Sequence, residues 1–288
     1  MATVEISTSE QFIALKDMTD RGTADAPLDI VFTNDLDFSE IGDFEGLGNV
    51  ILYANLNGNG HAIKNLVTNS GSDFYLMGHI SNGTIKNIVI DNCHISVNGV
   101  LRIFCSQYCN YENIVIKNSN TFVTSSELYV IYGSSSRGST LSKIAIGGTY
   151  NCNRYFGIRT TSVVEKISNC YVVANIICSG ECCTFGYIDS CNGFFNCFTR
   201  CNITHTSTDG NYYGFYHNYY TIKIMYCYAA NTIDGTFKQH YNFSNGTITT
   251  ACFYDSTLDT VTQTGGGLPA TTAQLKSAEW LRSQGWAI

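Results

Sequence analysis

A short segment recurs eight times in the same order along the chain: polar residues ending most often in Asn, then Ile, Leu or Cys, then further apolar residues. It stands as Lys64-Asn65-Leu66-Val67, Lys86-Asn87-Ile88-Val89, Glu112-Asn113-Ile114-Val115, Ser142-Lys143-Ile144-Ala145, Ser168-Asn169-Cys170-Tyr171, Asn196-Cys197-Phe198, Tyr226-Cys227-Tyr228 and Ala251-Cys252-Phe253. Counted from the third residue of each, the steps are 22, 26, 30, 26, 27, 30 and 25 residues. A sustained period of this size marks a stacked repeat. The units are runs of four to six β-formers punctuated by Gly and Asn, and no 3.6-residue periodicity runs through them, which excludes helix-pair repeats. Parallel coiling of short strands remains. The expected fold is all-β: a right-handed parallel β-helix of about eight rungs, with short capping helices at both termini.

Rungs of such a coil rise by roughly 4.8 Å, so equivalent side chains stack directly. Leu66, Ile88, Ile114, Ile144, Cys170, Cys197, Cys227 and Cys252 are therefore expected to form one interior ladder. The asparagines before it, Asn65, Asn87, Asn113, Asn169 and Asn196, read as turn residues or outward amide ladders. A second strand recurs about half a rung later, at Tyr75–Ile80, Tyr129–Gly133, Tyr155–Ile158, Thr184–Ile188 and Tyr212–Tyr216, each with a glycine that lets the backbone bend at a corner.

Strand alternation turns the residue after the ladder outward. That position reads Val67, Val89, Val115, Ala145, Tyr171, Phe198, Tyr228 and Phe253, apolar throughout and aromatic on the last four rungs. An apolar outer stripe calls for a cover: loops or the C-terminal segment, sister subunits or another protein, or a stacked glycan. Tyr171, Phe198, Tyr228 and Phe253 are candidate interface residues on this ground. Tyr212, Tyr216 and Tyr219 join them from the aromatic cluster Asn211–Tyr220, whose tyrosines suit a recognition surface, although alternation turns half of the cluster into the core.

A solenoid needs a cap at each end. Ser7-Thr8-Ser9-Glu10-Gln11 carries a capping-box pattern ahead of Phe12, Ile13, Leu15 and Met18, and Thr272 precedes a second helical pattern, Ala273–Gln284, stopped by Gly285. The expected organisation is an N-terminal cap over 1–45, the β-helix over 46–262, and a Gly-rich linker with a C-terminal helix over 263–288.

Net charge is −7 and the 16 basic residues are scattered, so a phosphate backbone is not an expected partner. The first residues lack a basic and apolar leader, and no apolar run approaches membrane-spanning length. Neither a signal peptide nor membrane insertion is expected. The 13 cysteines are odd in number and read as free thiols used as small apolar residues. Cys-x3-Cys occurs at Cys105/Cys109, Cys178/Cys182 and Cys197/Cys201, but no Cys-x2-Cys pair exists and no histidines are grouped nearby, so no metal and no cofactor is expected. Catalytic carboxylates on this fold would occupy equivalent positions on adjacent rungs, about 5–10 Å apart. Asp73, Asp91, Glu112, Glu127, Glu165, Glu181 and Asp189 fall at different offsets, and no catalytic residue is assigned.

Asn57-Gly58-Asn59-Gly60-His61-Ala62-Ile63-Lys64-Asn65-Leu66, followed by Leu76-Met77-Gly78-His79-Ile80-Ser81-Asn82-Gly83-Thr84-Ile85-Lys86-Asn87-Ile88, resembles the GLUG-type β-helix repeats of bacterial surface adhesins and phage appendage proteins. The resemblance spans about residues 30–120 and weakens beyond, where Cys replaces the usual Ile or Leu. It implies the fold more strongly than a function, because the repeat is scaffold. With free thiols and no export signal, it leads to the expectation of a non-enzymatic virion appendage, in a tail or on a capsid. Such a protein assembles in the host cytoplasm beside other virion proteins or in a homotrimer, and contacts a host-surface glycan. The alternatives are a bacterial cell-surface adhesin module and a polysaccharide-degrading enzyme.

Overall fold

The computed structural model describes residues 2–134, 138–217, 223–244, 248–261 and 266–286. It is a right-handed parallel β-helix of about nine turns, one more than the repeat count predicts. The extra turn comes from Thr3–Ile6, Leu28–Phe32 and Leu36–Asp37, which pair in parallel with the strands above them.

One rung illustrates the construction. Asn110–Ile116 supplies two walls by bending at Asn113, Thr121–Thr124 supplies a third, and Glu127–Ser134 supplies a fourth and fifth. Asn110–Ile116 pairs below with Thr84–Asp91 and above with Ser139–Cys152, and Glu127–Ser134 pairs with Leu101–Gln107 and Arg154–Ser168. Inward residues form continuous vertical files; in the third wall Ile95, Phe122, Tyr150, Ile176 and Ile203 are all buried.

The bend between the first two walls explains the repeat. Asn87, Asn113, Lys143, Asn169, Asn196, Tyr226 and Ala251 all sit in the left-handed region, with φ between 50° and 56°. Asn tolerates that region best after Gly, hence its frequency there. Its amide also serves the stack, since Asn113 Nδ2 donates to Asn87 Oδ1 (2.9 Å) and Asn87 Nδ2 to Asn57 Oδ1 (3.0 Å). The expected amide ladder is therefore present over these rungs.

The residue after the bend turns into the core. Ile88, Ile114, Ile144, Cys170, Cys197, Cys227 and Cys252 form the expected file, each at most 1% exposed. Leu66 does not belong to it. Its carbonyl accepts from His94 N, so Leu66 lies beneath Cys93 at the next corner, between the second and third walls. Val67 accordingly faces outward on the third wall, and Ala62 takes the place below Val89. The cause is local mimicry: Asn65 (φ 58°) and Asn92 (φ 51°) make a second left-handed corner with the same sequence pattern, and only the pairing partner tells the two corners apart.

Cysteine has a specific use at these corners. Cys170, Cys197, Cys227 and Cys252 each donate Sγ–H to the carbonyl two residues earlier, at 3.2–3.4 Å. Cys93 and Cys109, which follow left-handed Asn92 and Tyr108, do the same at 3.4 and 3.5 Å. The thiol thus fills the space of a small apolar group and satisfies a carbonyl exposed by the turn. All 13 cysteines are free and buried.

Both ends are capped among the described residues. Ser9–Ala14, N-capped by Thr8, places Phe12 against Phe32, Phe38 and Phe44. At the other end the predicted single helix is two, Thr272–Lys276 and Ala278–Ser283, because Ser277 leaves helical geometry and caps the second through a bond from Trp280 N. Thr271, not Thr272, caps the first. Of the predicted linker, Leu268 and Pro269 belong to a strand, Leu268–Ala270, that pairs with Phe253–Asp255; residues 263–265 lie outside the described set. No helix among the described residues is long and apolar enough to cross a membrane.

The register makes a direct prediction. Ile114→Ala should cost about 2–5 kcal/mol by leaving a cavity in the corner file, whereas outward Val115→Ala should cost well under half of that. Chemical denaturation of the two variants checks it; equal losses would contradict the placement.

Candidate functional site

The fourth and fifth walls meet at a bend made by glycines of the second repeated strand. A Cβ on Gly186 would stand 2.1 Å from the Ile158 carbonyl oxygen, and one on Gly214 would stand 2.1 Å from that of Asn242. Glycine is required here by the close approach of neighbouring rungs. The bend is concave on the outside, so outward side chains of the two walls converge. The fourth wall contributes the file Tyr75, Arg102, Tyr129, Phe156, Cys183, Tyr213 and Tyr241. The fifth contributes His79, Cys105, Tyr132, Arg159, Tyr187 and His217.

These files interlock. Arg102 lies over Tyr75 (4.8 Å), Tyr132 (4.9 Å) and Tyr129 (5.4 Å), and its Nη1 donates to Tyr75 Oη at 2.7 Å. Arg159 lies over Tyr187 (4.7 Å), Phe156 (5.3 Å) and Tyr129 (5.5 Å). Tyr129 stacks on Phe156, and Tyr213 stacks between Tyr241 (5.1 Å) and His217 (4.0 Å). Tyr129, Phe156, Cys183 and Tyr213 are buried by these partners and form a small core outside the coil, while Tyr75, Tyr132, Tyr187 and Tyr241 are half-buried and make its accessible rim. Neither guanidinium is in a salt bridge among the described residues, and Nε of each is buried without a hydrogen-bond partner. Nε2 of His79 is in the same position, and burial together with Arg102 pushes the His79 pKa down. Donors held against aromatic faces on an outer wall match the polar edges and apolar faces of a sugar ring.

The carboxylates singled out in the sequence are mostly engaged by other partners, although Glu127 also accepts from Tyr129 Oη of the wall and Asp189, its pKa raised by burial, acts on Arg159 through space. Asp91 pairs with Lys117 (2.6 Å), Glu112 with Lys143 (3.3 Å) and Glu127 with Arg154 (3.1 Å), while Asp73 accepts from Val100 N. Glu181 is brought to the concave wall, where its Oε1 lies 3.0 Å from His217 Nδ1 and 3.8 Å from Cys183 Sγ. Thiol, imidazole and carboxylate together resemble a nucleophile, base and orienting acid, but this sulfur is fully buried, and burial with the neighbouring Glu181 pushes its pKa well above the ordinary thiol value. An activated cysteine needs the reverse.

Of the candidate interface residues, Tyr171, Phe198 and Tyr228 form a stacked outer ladder at 5.1 and 5.0 Å with rings within 8° of parallel. The C-terminal segment covers its end: Trp286 packs on Tyr228, and Trp280 on Phe253, which is buried. Tyr171 is 39% exposed and borders a groove of about 590 Å³ with Val115, Ala145 and Val173. Tyr212 and Tyr216 are corrected by the structure: both are fully buried on the inward side, Tyr212 accepting from Asn231 Nδ2 (2.9 Å) and Tyr216 donating to the Ile188 carbonyl (3.0 Å). Alternation leaves Tyr213 as the outward tyrosine of that segment. Tyr219 lies outside the described residues. The arginine–aromatic wall is not legible in the sequence because its members are spread over seven rungs, although Tyr129/Phe156 and Tyr132/Arg159 repeat at a 27-residue spacing.

No family model and no curated protein sequence matches the chain. Among solved structures, the fold is similar to the crystal structure of a "putative immunoglobulin A1 protease" from Bacteroides ovatus, with a TM-score of 0.51 and 14% identity over 98% of this chain and 87% of that one. At that identity the likeness shows the fold alone.

Proposed function

We propose that this β-helix is a non-enzymatic appendage protein of a virion that contacts glycan on a host surface through its concave arginine–aromatic wall. The observation that carries the reading is the pair Arg102 and Arg159, held between aromatic rings and in no salt bridge among the described residues, although Asp189 acts on Arg159 through space. Interior placement of all 13 free thiols supports assembly in a reducing compartment, where disulfides are not maintained. The uncovered part of the outer ladder, Tyr171 and Phe198, is the surface we assign to sister subunits or other virion proteins. A bacterial adhesin module would use the same wall in the same way.

Proteolysis, the activity named for the structural neighbour, finds no support in the buried Cys183, and of the acids that reach the wall Glu127 is bonded to Tyr129 and Arg154 and Glu181 to His217, an arrangement that favours binding over cleavage. Binding is tested by titrating a panel of neutral and acidic polysaccharides against the protein and its Arg159→Ala and Tyr187→Ala variants. Each substitution should weaken the bound member by about 1–2 kcal/mol, roughly 5- to 30-fold. Unchanged affinity in both variants, or shortening of the polysaccharide chain during incubation, would refute the proposal.

A further inference from the structure

We infer that Glu181, Cys183 and His217 form a binding site for one divalent cation of the zinc class on the outer wall. The three ligand atoms, a carboxylate oxygen, a thiol sulfur and an imidazole nitrogen, lie within 4.8 Å of one another. Tetrahedral zinc with ordinary bond lengths places such atoms about 3.4–3.6 Å apart. The observed Glu181 Oε1 to His217 Nδ1 separation of 3.0 Å and the Cys183 Sγ to Glu181 Oε1 separation of 3.8 Å bracket that range. The remaining edge, Cys183 Sγ to His217 Nδ1, is within 4.8 Å and is closed by side-chain rotation.

The surroundings are those of a held ligand set. The His217 ring lies face to face with Tyr213 at 4.0 Å and 4°, and edge-on to Tyr187 at 4.8 Å and 83°, so its plane is clamped between two rings. The Glu181 backbone is tied by its carbonyl accepting from Tyr155 N. Cys183 and His217 lie on opposite flanks of the glycine bend in adjacent rungs, which fixes the distance between them. Of the three ligands, Glu181 alone borders a polar cleft of about 500 Å³, whose other lining includes Asn153, Asp209, Arg154 and Lys238. Three protein ligands and one open position are the pattern of an accessible zinc site. Binding converts the Cys183 thiol to thiolate, with its proton released to solvent, and replaces the hydrogen between His217 Nδ1 and Glu181 Oε1, the neutral imidazole then carrying its hydrogen on Nε2. The inference does not depend on glycan recognition: Cys183 and His217 lie on the same wall and Tyr187 touches His217, but ion binding is read without glycan and in variants of the three ligands alone.

Titration of the metal-free protein, residues 1–288, with Co²⁺ tests it. One equivalent should bind and produce a thiolate-to-cobalt charge-transfer band, and Zn²⁺ should displace it. Cys183→Ala and His217→Gln should each weaken binding by at least about 100-fold, the upper end of what even an outer-shell change costs. Cys105→Ala, on the same wall and outside the cluster, should bind as the parent does. Should Cys183→Ala fail to fold, Glu181→Gln, which keeps the side-chain shape, and His217→Gln report the same loss. No binding, a spectrum without thiolate character, or a thiolate band that survives in the folded variants overturns the site.

Discussion

Phe185→Ala is expected to destabilise the protein by about 3–5 kcal/mol, the usual cost of truncating a buried phenylalanine. Phe185 is fully buried at the bend between the fourth and fifth walls, stacked on Phe215 at 4.7 Å and edge-on to Phe194 at 5.6 Å; Phe215 in turn stacks on Phe243 at 4.9 Å. The loss removes the base of a three-ring interior stack. In a solenoid each rung touches only its neighbours, so the damage should stay local at first. Hydrogen exchange should accelerate in the rungs from about residue 155 to residue 244 before it does so around Ile30–Ile90. Uniform acceleration along the whole chain would contradict the rung-by-rung account.

Alkaline unfolding should begin near pH 9 and steepen towards pH 11–12. Burial pushes Cys93, Cys105 and Cys109 up to about 11, and Cys191 and Cys201 up to about 12, from an ordinary value of 9. Each raised group binds its proton more tightly in the folded than in the unfolded chain. Its stabilising contribution is therefore complete below pH 9 and is lost as pH climbs through the folded-state value. Two pKa units correspond to about 2.7 kcal/mol per group. A few such thiols rival the roughly 5–15 kcal/mol by which ordinary domains are stable. Buried Tyr111, Tyr150, Tyr155 and Tyr212 are raised for the same reason and add to the effect, whereas Cys252 is held down by a hydrogen bond from Cys227. Circular dichroism against pH, with a thiol reagent present, checks this. The cysteines should stay unreactive until the coil opens and then react together; gradual reaction of a folded protein at pH 8 would argue against their burial.

The coil was legible because a rung-length period in a β-helix turns directly into vertical neighbours. Once Ile88, Ile114 and Ile144 are recognised as equivalent, their stacking and burial follow from strand geometry alone. The same logic carried through the rungs where cysteine replaces isoleucine. It failed at Leu66, where two corners of one rung share a pattern of Asn followed by an apolar residue. The local signal for a left-handed bend is identical at Asn65 and Asn87, and hydrogen bonding to Asp91–His94 above is what separates them.

The arginine–aromatic wall and the Glu181, Cys183 and His217 cluster depend on a different kind of information. Glu181 and His217 are 36 residues apart, and no one-dimensional spacing rule joins them. They meet because Gly186 and Gly214 let two adjacent rungs approach closely at the same bend, so that two outward files face each other. Composition and period determined, from the sequence by itself, that this chain coils, which residues fill the corner file and that its thiols are interior. Which outward side chains share a surface was decided only in three dimensions, because that depends on the angle between walls and on loop lengths that shift one wall's residues relative to another's.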